Sequence, residues 1–275
     1  MLRFFSRRCL TVVLLVLVLS YGSAMLLLML FENTILYRPK RPTALESVPA
    51  DVRAQDLWLS TATGITIHAC WLPCPGARRA LMFCHGNTGR HPQVARLIQG
   101  LKLSLLLFDY PGYGVSGGEP SEAGCYAAAD AAYDWLRAQV APERIVIAGQ
   151  SLGGGVAVDL ASRRTHGALV LFKTFTSVPD VAHYQCPLLP ARWLAHNRFD
   201  NLAKVGRCGG PTLIAHAEND DLVPLSQAQE LFGAACEPKS LCLLPGCGHR
   251  GSFPGDFLEM LKTFLDEHCP DEGKK

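Results

Sequence analysis

From Ala80 to the C-terminus, short apolar runs of strand length alternate with stretches of helical period, and few architectures accept that pattern. Ala80–Cys84, Ser104–Phe108, Arg144–Ala148, Ala168–Phe172, Thr212–His216 and Ser240–Leu244 read as strands. Between them Val94, Leu97, Ile98 and Leu101 recur at helical spacing, and Ala123–Gln139 is an alanine-rich helix carrying Tyr126, Trp135 and Leu136. Leu152–Arg163, Ser226–Ala235 and Phe253–Glu267 are helical in pattern as well. Upstream, Asp56–Ser60 and Ile65–Trp71 alternate in strand fashion around Gly64, a hairpin signal. A hairpin followed by alternating β and α elements predicts an α/β fold: one domain with a mostly parallel sheet flanked by helices. Ligands in such sheets bind beyond the carboxyl ends of the strands, so chemistry is expected in residues that directly follow strands.

Ahead of this body, Cys9–Phe31 runs for 23 residues without a charge, roughly 34 Å as a helix and enough to cross a bilayer core. A cleaved signal peptide would share the small residues Gly22-Ser23-Ala24. The apolar run continues through Met25–Phe31, however, which a mature N-terminus would have to hide, so an uncleaved single-pass membrane anchor over residues 1–31 is the preferred reading. Arg3, Arg7 and Arg8 precede the run, and Arg38, Lys40 and Arg41 follow it. Basic flanks at both ends leave the side of the membrane undecided, with an exported body slightly favoured. Residues 32–54 then form a polar neck bearing Pro39, Pro42 and Pro49, residues 55–270 the folded domain and residues 271–275 a tail.

Three of the 26 basic residues and none of the 24 acidic ones fall in the first 31, leaving the body near neutrality at 23 against 24. A body so balanced has no electrostatic basis for gripping nucleic acid non-specifically, and none is expected as a partner. Hydrophobic residues at 49% with 18% charged exclude intrinsic disorder. The 11 cysteines include Cys70, Cys84 and Cys242 in apolar strand-like runs, where the thiol acts as a small hydrophobe. Cys70 and Cys74 have no second Cys or His pair nearby to complete a zinc site, so no metal is expected. This cysteine usage suits a reducing compartment, against the exported orientation.

Gly149-Gln150-Ser151-Leu152-Gly153 follows one strand and opens a helix. The turn is tight enough to want glycine at both flanks, and it would hold the Ser151 hydroxyl toward a substrate beside a helix N-terminus. A serine hydroxyl needs a base to act as a nucleophile at neutral pH. Of nine histidines His249 stands out, because the glycine-bearing loop Pro245-Gly246-Cys247-Gly248 after a strand can turn its imidazole inward. A carboxylate should fix that imidazole, and Glu218, Asp220 and Asp221 compete for the role on the turn after Thr212–His216. The order serine, acid, histidine along the chain suits a nucleophile-elbow hydrolase.

These residues carry a resemblance. The chain resembles the alpha/beta-hydrolases, and most closely the membrane-anchored esterase, lysophospholipase and depalmitoylase-type serine hydrolases. It does so from about Leu36-Tyr37-Arg38-Pro39 to the last helix. The matching segments, in order, are His85-Gly86-Asn87-Thr88-Gly89, the run Asp109-Tyr110-Pro111-Gly112-Tyr113-Gly114-Val115-Ser116-Gly117-Gly118, the Ser151 turn, Phe175-Thr176-Ser177, Asn219-Asp220 with Val223-Pro224, and Gly248-His249. The resemblance implies Asp220 as the acid and the backbone N–H groups of Asn87 and Leu152 as an oxyanion hole. It makes Asp109 part of a structural glycine-rich loop. Lys173 departs from the acidic residue common in relatives, and Ala217 from their glycine.

The expected chemistry is hydrolysis of a carboxylic ester or thioester through a Ser151–His249–Asp220 triad and an acyl-enzyme, with no cofactor. A short cap of about residues 178–210, containing Pro187, Pro190, Trp193 and Phe199, and a membrane stem favour small-molecule or lipid-like acyl substrates. A peptidase or amidase using the same triad, and a catalytically silent membrane-tethered binding module, are the rival readings.

Overall fold

The computed structural model describes residues 7–39, 54–88, 100–188, 190–250 and 257–269. An N-terminal helix α1 (Arg7–Leu30) runs almost directly into a short α2 (Glu32–Leu36) within the expected neck. The body follows as β1 (Gln55–Ser60), β2 (Thr66–Leu72), β3 (Ala80–Cys84), β4 (Ser104–Phe108), α3 (Glu122–Leu136), β5 (Ile145–Gln150), α4 (Leu152–Ala161) and β6 (Ala168–Phe172). Three short helices, α5 (Val178–Gln185), α6 (Ala191–Leu194) and α7 (Leu202–Val205), precede β7 (Thr212–Ala217), α8 (Leu225–Ala234), β8 (Lys239–Leu244) and α9 (Phe257–His268). The helix expected through Val94, Leu97 and Ile98, the neck beyond residue 39 and the 271–275 tail lie outside the described residues.

The strands form one sheet in the order β1-β2-β4-β3-β5-β6-β7-β8. The β1–β2 hairpin is antiparallel, β2 joins β4 antiparallel, and every pairing from β4 to β8 is parallel. This is the α/β architecture expected from the alternation. Successive residues of the central strands point to opposite faces. Met82, Leu106, Ile147, Leu169 and Ile214 pack under α3, α4 and α8. Leu81, Leu105, Val146, Val170 and Leu213 face α9, where Phe257, Leu261 and Leu265 meet them. Strands covered on both sides must be apolar throughout, which is why these runs lack a polar alternation. The register aligns Cys84 with Gly149, Gln150 with Phe172, and Phe172 with Ala215, so the carboxyl ends of β3, β5, β6 and β7 share one edge of the domain.

The stem is fastened to the body between β6 and β7. The Glu32 carboxylate accepts hydrogen bonds from the backbone N–H groups of His196 (3.0 and 3.1 Å) and Asn197 (2.7 Å) and from the Asn197 side-chain amide (2.9 Å). The buried Tyr37 hydroxyl donates to Asn197 Oδ1 at 2.6 Å, and its ring meets Phe199 edge-on. Burial opposes the charge on Glu32, yet these donors hold its carboxyl below the ordinary value. Glu32→Ala removes the acceptor for the His196 and Asn197 groups at this junction and is expected to destabilise the protein by about 1–3 kcal/mol, read as a lowered midpoint in thermal unfolding of the detergent-solubilised full chain.

Candidate active site

Ser151 sits between the last residue of β5 and the first of α4 with φ 51° and ψ −117°, in the left-handed half of backbone space where a non-glycine residue is strained by about 1–3 kcal/mol. The surroundings hold it there. Its N–H donates to the Phe172 carbonyl (2.9 Å), and its own carbonyl accepts from Gly154 N–H (2.9 Å) and the Thr174 hydroxyl (2.8 Å). The flanking glycines are dictated by space: a Cβ on Gly153 would overlap the Cys84 carbonyl oxygen, and one on Gly149 would overlap the Gly153 carbonyl. The turn is thereby pressed against the end of β3, and the Ser151 hydroxyl is left free to point outward from the sheet edge.

Loops after β7 and β8 meet it there. The Asn219 N–H donates to the Cys247 carbonyl at 3.1 Å and the Glu218 N–H to the Leu244 carbonyl at 3.2 Å, tying the acid turn to the histidine loop. Asp220 Oδ2 and His249 Nδ1 lie 2.8 Å apart, and His249 Nε2 lies 3.0 Å from Ser151 Oγ. A carboxylate can only accept, so the proton sits on Nδ1 and leaves Nε2 to accept from the Ser151 hydroxyl. The second oxygen of Asp220 accepts the N–H groups of Leu222 (3.0 Å) and Val223 (2.8 Å). Burial raises the Asp220 pKa, but the His249 and Val223 hydrogen bonds outweigh it and hold the carboxyl below its ordinary value. Of the three acidic residues on this turn Asp220 reaches His249, whereas Glu218 and Asp221 are exposed.

Two further side chains support the arrangement. Buried His216 donates from Nε2 to the Val223 carbonyl (2.9 Å), bracing the turn behind Asp220, and its burial disfavours the imidazolium. Lys173, buried at the end of β6, donates from Nζ to the carbonyl of Gly248 at 3.0 Å, one residue before His249. Burial lowers the Lys173 pKa, while Cys247 and Asp220 act in the opposite direction. The departure noted in the sequence at residue 173 is thus a brace on the histidine loop. Sequence spacing gave no signal for either role.

The loop after β3 comes close to the same turn: a Cβ on Gly86 would lie 3.4 Å from the Gln150 carbonyl and 3.7 Å from the Ser151 Cβ. Its backbone is fixed on both sides of the Asn87 N–H. His85 Nδ1 donates to the Gly86 carbonyl (2.7 Å), orienting the peptide that bears that N–H, and the Asn87 carbonyl accepts from Arg38 N–H (3.0 Å) and the Tyr113 hydroxyl (2.9 Å). Leu152, first residue of α4, has an N–H outside the ladder of its own helix. Asp109 belongs elsewhere, buried between His85 and His68 at 3.8 and 3.9 Å and close against Gly114. Among the described residues no group of three His, Cys, Asp or Glu side chains could hold a metal ion.

Comparison with known proteins identifies the fold. The family model of the alpha/beta hydrolase fold matches residues 79–191. An uncharacterized protein of Mycobacterium tuberculosis, Rv2307c, is 36% identical over 249 residues, covering 86% of this chain and 88% of the relative. Alpha/beta hydrolase domain-containing protein 17B of Xenopus laevis is 33% identical over 204 residues, covering 70% of this chain and 68% of its own. Among solved structures, the Pyrococcus furiosus esterase Pf2001 superposes with a TM-score of 0.70 at 18% identity, covering 85% of this chain and 98% of the esterase.

Two measurements probe how the site is held. Gly153→Ala forces Cys84 and the turn apart and is expected to destabilise by about 3 kcal/mol in urea unfolding. The folded pKa of Asp220 lies below its unfolded value of about 3.9, so the stability it confers is complete above that pH and is lost as pH falls through the folded value. The gap in unfolding midpoint between wild type and Asp220→Asn is therefore expected to be wide at about pH 7 and to narrow at about pH 3.

Proposed function

Since the chain belongs to the alpha/beta hydrolase family, we propose that it is a membrane-anchored serine hydrolase that cleaves carboxylic ester or thioester bonds of acyl, lipid-like molecules. The observation that carries the reading is the continuous hydrogen-bonded chain from Ser151 Oγ through His249 to Asp220, at 3.0 and 2.8 Å, on a strained strand-to-helix turn. Ser151 Oγ attacks the acyl carbonyl carbon as His249 Nε2 takes its proton, and Asp220 stabilises the imidazolium that results. The N–H groups of Asn87 and Leu152 receive the oxyanion, each donor being worth about 3 kcal/mol of barrier. The tetrahedral adduct collapses, and the His249 proton passes to the departing alcohol or thiol. Water, deprotonated by His249, then attacks the acyl-Ser151 ester, and collapse returns the acid and the free hydroxyl. The scheme uses no metal and no cofactor.

In this reading residues 1–31 form the anchor, 32–54 the neck and 55–270 the hydrolase domain, with a cap at about 178–210 and a tail at 271–275. The anchor rests on Cys9–Leu30, a 22-residue helix of mean hydropathy 2.5 with none of its apolar window buried against the body. Support for an ester substrate comes from the structural similarity to the Pyrococcus furiosus esterase Pf2001, and a helix of membrane length beside the site favours substrates that live in the bilayer.

A fluorophosphonate probe applied to membranes carrying the full-length protein tests the proposal. Wild type is expected to label at Ser151. Labelling is expected to disappear in Ser151→Ala and to fall at least about a hundredfold in His249→Ala, with circular dichroism unchanged in both. An unlabelled, folded wild type would sink the reading.

A further inference from the structure

The short helices between β6 and β7 leave two large apolar side chains almost wholly bare: Leu188 is 83% exposed and Trp193, on α6, 88% exposed. Scattered apolar residues on a surface are ordinary, but the position of these two is not. The hydroxyl of Tyr21 donates to the Leu188 carbonyl at 2.6 Å. Tyr21 lies well inside the Cys9–Leu30 span, nine residues or roughly 13 Å from its Leu30 end at 1.5 Å per residue. A backbone carbonyl bonded to the interior of a membrane helix must share the depth of that helix. We propose that this part of the cap, presenting Leu188 and Trp193, is embedded in the acyl region of the bilayer leaflet nearest the hydrolase body. The occupant of this apolar face is lipid, and the proposal rests on the anchor reading above.

The backbone here is suited to such a place. Polar main-chain groups in hydrocarbon must be satisfied within the protein. Pro187 and Pro190 carry no N–H at all. The N–H of Cys186 donates to the Ala182 carbonyl (2.9 Å), that of Trp193 to Pro190 (3.0 Å), that of Leu194 to Pro190 (3.3 Å) and that of Ala195 to Ala191 (3.0 Å). Tyr21 and Leu188 satisfy each other, since a phenol hydroxyl inside the span needs an acceptor just as the carbonyl needs a donor. Trp193 sits beside Arg192, whose guanidinium reaches Asp180 at 3.1 Å, an amphipathic pairing of indole and headgroup-level charge that suits the acyl–headgroup boundary. On its other side the cap touches the candidate site: Gln185, the last residue of α5, donates its side-chain amide to the carbonyls of Asp221 (2.8 Å) and Leu222 (3.0 Å), next to Asp220. Lipid contact is thus only a few residues from the acid turn, and an acyl substrate would approach from within the leaflet.

The test is depth-dependent quenching of tryptophan emission. Full-length protein is reconstituted into phosphatidylcholine vesicles whose acyl chains are brominated near the carbonyl end, and compared with unbrominated vesicles. The expected result is quenching in wild type and in Trp58→Phe, which removes the other strongly exposed indole, and loss of at least half of it in Trp193→Phe. Equal quenching in wild type and Trp193→Phe, in protein that resists carbonate extraction, overturns the embedded cap and leaves the anchor standing. Release of the protein by carbonate overturns both. Neither readout requires turnover, so failure of the hydrolase reading would show separately as loss of probe labelling.

Discussion

Everything at the sheet edge follows from the lack of room between the Ser151 turn and the Cys84 carbonyl. The turn can dock on β3 only because residue 153 has no Cβ, and only when docked does Ser151 take its left-handed conformation, clamped by Phe172, Gly154 and Thr174. Strain of this size survives because neighbouring strands over-determine it. With the turn fixed, the His249 loop and the Asp220 turn have a defined point to meet, and the Asn87 loop lies against the same backbone. An error of one ångström in that docking would be felt in every distance of the hydrogen-bonded chain.

The residues after the apolar helix are hydrogen-bonded into the domain. Arg38 N–H bonds the Asn87 carbonyl, Tyr37 reaches Asn197, and Glu32 gathers donors from His196 and Asn197. Residues 32–38, which follow the apolar helix, therefore brace both the loop that carries the proposed oxyanion donor and the segment around Asn197. In this arrangement the apolar helix and the candidate site share a frame of hydrogen bonds, and motion of the helix relative to the body would disturb the site itself.

Much of the fold was legible locally. Strands buried on both faces must be apolar runs, and runs such as Ala168–Phe172 are recovered residue for residue. Boundaries shift where pairing overrides composition: polar Gln150 stays in β5 because it pairs with Phe172, and the alanine-rich helix stops at Leu136 instead of Gln139. Ser151 and His249 were readable because glycine patterns mark their turns. The choice among Glu218, Asp220 and Asp221 was not, since three neighbouring carboxylates look alike in sequence; resemblance pointed to Asp220, and the fold sets Asp220 Oδ2 2.8 Å from His249 Nδ1. Lys173 read only as a departure from relatives, because its partner, Gly248, lies 75 residues away.

Sequence alone determined what depends on neighbours along the chain: the α/β class, the tight serine turn, the glycine-bearing histidine loop and an apolar helix long enough to span a bilayer. Tertiary structure decided what depends on residues far apart in the chain: which carboxylate meets the imidazole, which buried amine braces its loop, and where the stem fastens. The reason is that periodicity and turn chemistry are encoded within a few residues, whereas a hydrogen bond such as that from Tyr37 to Asn197, 160 residues on, exists only once the sheet has brought both ends together.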